Sequence, residues 1–493
     1  RRWIGQVSRQ EIDAALRHDL GSRPAIAFSA RPPGWVAADA PLSQVRETLL
    51  HGRGRIWLVG SPNDSAENGG AQGLLTRTTV LRSAAEPALA GARKPPHFNV
   101  IRGKLKASLG PVYKTVRAIG VLASERNMRV YLVGGGVRDL LLDRPVRDVD
   151  IVVQGSAPLL AHAIAERFGG EVVVHEAFQT AKWVPPEPGA EPIDLASTRG
   201  EHYVGRAELP YVHEAELRQD LFRRDFSINA MALDLGPDEF GQILDPYGGW
   251  TDLQAGILRV LHGLSFHDDP TRALRAARFA ARFGMRLASG TRGLLDNALS
   301  TGALAHLGRE RLGNELERIL LEDTADRAVE LLAEWRLDRA IHDGLRIRPE
   351  TIVELRAGYD AHGFALGMAA TEGGTPPTAS DVGWVILGRA FTPEARVELV
   401  RVVPGPQARR DRFVESPDRV ETALQRLRKT RMHSYTARVL DRLDRVEWVA
   451  ALALARGRAE ADLLVPHLIW WRTEGRQMKS AVDGDWLKEQ GLP

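Results

Sequence analysis

A chain of 493 residues is too long for one compact core, so two to four domains are expected. It contains no cysteine, which excludes disulfides and thiolate metal sites and fits a reducing cytoplasm; no apolar run reaches the length of a membrane span, and the opening Arg-Arg-Trp-Ile does not read as a signal peptide. The net charge of +3 excludes a uniformly basic coat, although arginine far outnumbers lysine and suits a two-pronged grip on phosphates.

In chain order, the first feature is an internal repeat. Residues 5–12 (GQVSRQEI) and 73–80 (GLLTRTTV) share Gly, two residues, Ser or Thr, Arg, then a helix. Between them, 44–50 reads as helix, 55–59 as strand and 63–72 as a polar turn. The first copy lacks the helix and strands that should precede it, so the chain is expected to begin inside a larger protein. Residues 1–84 form this α/β region, and the Ala- and Pro-rich stretch 83–96 reads as a linker, closing by residue 97.

From 98 to about 240 the pattern is mixed α/β. A helix is expected at 112–126 and a strand at 131–133. Gly134, Gly135 and Gly136 make a turn, a short helix follows at 137–142, and a second strand at 149–153. Glycines can take backbone angles closed to other residues, and a strand, a glycine turn and a helix start can face backbone N–H groups toward a phosphate. Asp148 and Asp150 are two apart in the second strand, so they project to the same side, about 6–7 Å apart along the chain. Carboxylates so placed can share Mg²⁺ ions, which prefer oxygen ligands and substrate phosphates. A helix at 157–168 follows, with strands at 171–175 and 193–196; Asp194 lies on the latter and can assist.

After Asp252 the chain reads as helical, with helices at 272–283, 309–321, 326–335 and 420–429 and a loop at 371–380. Residues 220–234 (DLFRRDFSINAMALD) gather two arginines, an Asp and an Asn within one or two helical turns. Residues 245–259 (DPYGGWTDLQAGILR) read as a turn and a capped helix. Asp269, Arg272, Arg275 and Arg278 recur every three residues, which sets one carboxylate and three guanidiniums on a single helical ridge. Such a ridge suits a partner with phosphates and a polar ring.

Together these stretches resemble the class II nucleotidyltransferases, which comprise tRNA CCA-adding enzymes, their A-adding and CC-adding relatives, and bacterial poly(A) polymerases. The resemblance covers 98–321 strongly and the helical remainder loosely. It implies an α/β plus all-α architecture: a nucleotidyltransferase head with a mixed β-sheet at 98–240, neck and base-selecting helices at 241–325, and a helical, RNA-binding body and tail at 326–493. Gly134, Gly135, Gly136, Arg138 and Asp139 match the turn that holds the triphosphate, and Asp148 and Asp150 match the metal-binding carboxylates, with two Mg²⁺ ions implied. Arg224, Asp225 and Asn229 match the motif that grips ribose and phosphate. Gly248, Gly249, Asp252, Leu253 and Gly256 match the neck motif. Asp269 and Arg272 match the pair that reads the incoming base, with Asp268 standing where the family has Glu. The stretch 199–210 resembles a loop absent from CC-only enzymes, and the closing DGDWLKEQGLP resembles the family's end, with trimming expected there. The N-terminal repeat resembles a CBS domain pair with Glu11 and Thr79 at the nucleotide-facing position; it reads as a packing or dimerisation module. The implied function is Mg²⁺-dependent addition of the terminal A, or of the complete CCA, to the tRNA 3′ end from ATP and possibly CTP, in the cytoplasm and without a membrane. The alternatives are a poly(A) polymerase and, of another class, a nucleotide-sensing regulatory protein with an inactive transferase site. The stretches 407–413 (QARRDRF) and 426–438 (RLRKTRMHSYTAR) are candidate RNA contacts.

Overall fold

The computed structural model describes residues 34–37, 39–40, 56–60, 71–76, 98–146, 148–202, 211–214, 216–372 and 377–477. The chain divides into two units, Arg1–Pro95 and Pro96–Pro493. In the first, β1 (Gly34–Val36), β2 (Ile56–Gly60) and β3 (Ala71–Thr76) form a three-stranded sheet, with β1 parallel and β3 antiparallel to β2. The strand expected at 55–59 is β2, one residue later. The polar turn expected at 63–72 gives way to β3 at Ala71. The first repeat copy, the helix expected at 44–50 and the linker at 83–96 lie outside the described residues.

The second unit begins with helices α1 (Phe98–Leu109) and α2 (Tyr113–Glu125), then β4 (Arg129–Val133), α3 (Gly135–Leu141), β5 (Val149–Gln154) and α4 (Ala157–Phe168). Strands β6 (Glu171–His175), β7 (Thr180–Val184) and β8 (Ile193–Ser197) follow, then the hairpin of β9 (Arg199–His202) and β10 (Tyr211–Glu214) and helix α5 (Leu217–Phe222). With β11 (Ala232–Asp234) and β12 (Ile243–Leu244) these build a seven-stranded mixed sheet, ordered β12-β11-β4-β5-β8-β7-β6, in which only β5 and β8 run parallel.

Alternation along the central strands gives the sheet two faces. Val130, Leu132, Ile151 and Val153 are buried with Ile101, Leu105, Val116, Ile119, Leu160 and Ile164 of α1, α2 and α4. Tyr131, Val133 and Val152 turn the other way and pack on Leu217 and Leu221 of α5. Asp150 is two residues before Val152, so it shares that second, thinly covered face.

The rest of the unit is helical: α6 (Gly249–Gln254), a short pairing of β13 (Ile257–Leu258) with β14 (Arg286–Leu287), α7 (Ser265–Asp268), α8 (Thr271–Phe283), α9 (Ser289–Ser300), α10 (Arg309–Leu320), α11 (Ala325–Glu334), α12 (Leu337–Ile341), α13 (Pro349–Glu372), α14 (Ala379–Gly388), α15 (Pro393–Glu398), α16 (Gln407–Leu427), α17 (His433–Leu440), α18 (Arg445–Arg456) and α19 (Ala461–Thr473). Among the described residues no helix is long and apolar enough to cross a membrane. The alanines of α8 (Ala273, Ala276, Ala277, Ala280) are buried and let α10 and α11 approach closely. Capping boxes start α14 at Thr378 and α18 at Asp444. The helix expected at 420–429 is the second half of α16, whose first half is rich in charge and contains Pro417.

Candidate active site

A cleft of about 410 Å³ opens between the thinly covered sheet face and helix α8. It is lined by Gly134, Gly135, Arg138, Asp150, Arg223, Arg224, Asp225, Asn229, Asp269, Arg272, Arg275 and Phe279. On the sheet side, the end of β4 turns into α3 at Gly134, whose φ of 67° and ψ of −127° suit glycine. A Cβ there would lie 2.9 Å from Arg224 Nη1, so the bare backbone lets that guanidinium sit over the turn. Gly136 instead packs against Leu132 and Val146.

Asp148 is exposed just before β5, and Asp150 is half-buried within it. The parallel register sets Asp150 level with Asp194 on β8, and the antiparallel one sets Asp194 level with Lys182 on β7; Lys182 Nζ meets Asp194 Oδ1 at 3.2 Å. Burial pushes the Asp150 carboxyl up; Arg224 opposes this, while the negative charges of Asp194 and Asp148 reinforce it. The charges of Asp194 and Asp148 thus add to the cost of ionising Asp150, and all three carboxylates offer the hard oxygen donors that Mg²⁺ takes. Among the described residues no three carboxylates or imidazoles alone converge into a cage for the ion. Asp148 and Asp150 are the residues that would hold it.

The motif around Arg224 leaves its helix early. The sequence reading set it within one or two helical turns; α5 instead ends at Phe222, and 227–229 form a single 3₁₀ turn. Arg223 and Arg224 both bind the fully buried Asp220. Beyond them a buried chain of polar contacts ties sheet to helices. Arg138 Nε donates to Asp139 Oδ1 at 2.9 Å and Nη1 to Asn229 Oδ1 at 2.6 Å, with its guanidinium 4.6 Å from the Phe283 ring. Asn229 donates to Asp225 Oδ1 at 2.9 Å, and Arg275 Nε donates to Asp225 Oδ2 at 3.0 Å. Burial alone would push Asp225 up, but Arg275 and the Asn229 hydrogen bond hold it below the usual carboxylate range. Asp139, outside the lining, is therefore a support, and Asn229 is a support as much as a wall.

On the helix side, Asp269 precedes α8 in extended conformation. Its Oδ1 accepts from Thr271 N (3.1 Å), Thr271 Oγ1 (2.6 Å) and Arg311 Nη2 (2.6 Å), and its Oδ2 has no partner among the described residues. Arg272 Nη2 donates to the Arg223 carbonyl and Nη1 to Ser265 Oγ, both at 2.6 Å. The ridge that the spacing set facing a partner with phosphates is thus largely paired within the protein. Arg275 binds Asp225. Arg278, buried against Glu315 (3.6 Å) and Glu322 (3.2 Å), is not among the cleft's lining residues. Phe279 and Arg223 line the cleft without having been singled out; for Phe279 the available signal was its position four residues after Arg275, one turn along the same face.

The neck is held by Asp245, which accepts from Gly249 N (2.7 Å) and Trp250 N (2.9 Å), and by Asp252, which binds Arg259 and Ser227 Oγ. A Cβ on Gly249 would lie 2.2 Å from the Ser227 carbonyl oxygen, so a glycine is required for α6 to close on the 3₁₀ turn.

A family model for the poly(A) polymerase head domain matches residues 130–259, which run from β4 through β13. An A-adding tRNA nucleotidyltransferase of Geobacter sulfurreducens is 36% identical over 361 residues, covering 71% of this chain and 40% of that protein; the chain thus spans less than half of that relative's length. Among solved structures, a tRNA-processing enzyme in apo form 2 is 30% identical with a TM-score of 0.61, covering 73% of this chain and 96% of that one. The Thermotoga maritima CCA-adding enzyme complexed with tRNA CCA is 27% identical with a TM-score of 0.64, covering 80% and 90%. With its mixed-sheet head and helical body, the chain belongs to the class II nucleotidyltransferase superfamily.

Proposed function

We propose that the protein is a tRNA nucleotidyltransferase that adds the terminal A, or the complete CCA, to the tRNA 3′ end from ATP or CTP without a nucleic-acid template. The observation that carries this reading is the cleft itself, which gathers Asp150, Arg224, the Gly134 turn, Asp269 and Arg272 into one lining. The likeness to an A-adding relative supports it. In the reaction the RNA 3′ oxygen joins the α-phosphorus and pyrophosphate leaves. Mg²⁺, when bound by Asp148 and Asp150, supplies charge neutralisation and a more acidic 3′-hydroxyl. Arg224 and the backbone of Gly134 and Gly135 hold the triphosphate, and Arg138 keeps that turn in place. Asp194, level with Asp150, adds an acceptor beside the attacking hydroxyl. The open Oδ2 of Asp269 accepts from an exocyclic amine, which adenine and cytosine carry and guanine and uracil replace with a carbonyl; a wrong base leaves polar groups unpaired. Arg275, in the lining, fixes Asp225, and Arg278, behind the cleft, holds α8 through Glu315 and Glu322.

RNA would lie along the helical body. Of the two candidate stretches, the arginines of 407–413 are committed to internal partners: Arg409 to Glu317 and Asp381, Arg412 to Asp444. In 426–438, Lys429, Arg431 and Arg438 have no partner among the described residues, and Met432 and Tyr435 are exposed. That stretch fits phosphates and ribose better. The CBS-like region would serve packing or dimerisation. The deciding experiment supplies tRNAs ending before CCA, after C and after CC with labelled CTP or ATP. Incorporation of A on the CC-ended tRNA alone means A-adding, and stepwise C and A addition means CCA-adding. Long A-tails on unrelated RNA mean poly(A) polymerase. No incorporation by folded protein overturns the transferase reading in favour of a regulatory one.

A further inference from the structure

His262 lies between β13 and α7 and plays no part in the account above. Its Nε2 sits 3.3 Å from Arg272 Nη1. A guanidinium has donors only, so this ring nitrogen must be the acceptor and the ring proton must reside on Nδ1. Nδ1 faces Asp268 Oδ2 at 3.7 Å. The imidazole lies against the Phe222 ring, with centroids 5.4 Å apart, which limits its rotation. Arg272 itself is buried, and its other contacts are Ser265 and the Arg223 carbonyl. Of these acceptors only His262 can be lost by taking up a proton.

We propose that His262, packed against Phe222, is a positioning residue for base selection: it fixes the Arg272 guanidinium beside Asp269, and without it the choice among nucleoside triphosphates loosens. The inference rests on the reading in which Asp269 and Arg272 face the base. The charged groups facing the ring are Arg272 from α8 and Asp268 from α7. Burial, then the Arg272 charge, hold the imidazole down at about 4, so it stays an acceptor throughout the neutral range.

The test compares kcat/KM for ATP and GTP on CC-ended tRNA in the wild type, His262→Ala, His262→Gln and Arg272→Ala. His262→Ala is expected to lower the ATP preference by about tenfold or more. His262→Gln, whose amide oxygen can accept from Arg272, is expected to restore most of it, which a purely structural role would not produce. The wild-type preference is expected to hold from about pH 8 to about pH 5.5, because the imidazole gains its proton only near 4. Two results overturn the proposal: a His262→Ala preference within about twofold of wild type while Arg272→Ala loses selection, or equal losses in His262→Ala and His262→Gln. If Arg272→Ala keeps full selection, the base-reading assignment fails as well, so the two failures are told apart.

Discussion

The two walls of the cleft handle charge in opposite ways. On the sheet wall, Asp148 and Asp194 stand beside the lining residue Asp150, and among the described residues Lys182 and Arg224 offset them. On the helix wall, Arg272, Arg275 and Arg278 each meet partners inside the protein: Ser265 and the Arg223 carbonyl, Asp225, and Glu315 with Glu322. The first wall is short of positive charge and is completed by what binds there. The second has its arginines paired within the protein and serves as a fixed frame. Mutations in the two should fail differently, one in chemistry and the other in stability.

The largest effect is expected on the sheet wall. Asp150→Asn should lower incorporation of labelled nucleotide by about three orders of magnitude while the thermal midpoint stays or rises. A variant with near-normal incorporation would erase the contrast between the walls. Next comes Asp225→Ala, which strips Arg275 of its main partner in a buried network; urea unfolding should show a loss of about 3 kcal/mol. Gly249→Ala should cost about 1–3 kcal/mol by the same measurement, because the new methyl meets the Ser227 carbonyl and backbone must move. Acidity sharpens the comparison further. Since burial and the neighbouring carboxylates raise Asp150, its protonation begins above the ordinary carboxylate range. Activity should therefore fall on acidification before ordinary carboxylates titrate. The sign for stability is opposite: a raised carboxyl binds its proton more tightly folded than unfolded, so its contribution disfavours the fold above its folded pKa and this penalty fades as pH falls through that value. Asp150→Asn should flatten both limbs. The smallest change is expected far from the cleft. Arg327→Ala removes exposed pairs with Glu330 and Glu334 and should shift stability by less than about 0.5 kcal/mol.

Much of the head was legible because local rules decide it. The glycine turn, the strand carrying Asp150 and the helix at 157–168 follow from periodicity and backbone permissiveness, and each lies within two residues of its expected bounds. Boundaries along α8 and α10 were likewise within a residue. The pairing of Asp150 with Asp194 was only half visible, since sequence can place both on strands but sheet order makes them neighbours. The partners of the arginines were not legible. Glu315 and Glu322 lie dozens of residues from Arg278, and a basic ridge looks the same on a helical projection whether it faces water or buried carboxylates. The first half of α16 was hidden by its high charge and by Pro417, which local propensity reads as a break and tertiary packing overrides. His262 gave no signal, because its meaning depends on which nitrogen meets Arg272.

Arg138 has one more consequence. Its guanidinium grips Asn229 and Asp139 while resting on Phe283 of α8. It thereby clamps the turn that would cradle phosphates to the helix that begins beside the base reader. The interval between those two ends is set like the jaws of a fixed gauge. On the proposed reading, a ligand too short or too long for that span would be refused before any chemistry starts, and damage at one jaw would be felt as misfit at the other.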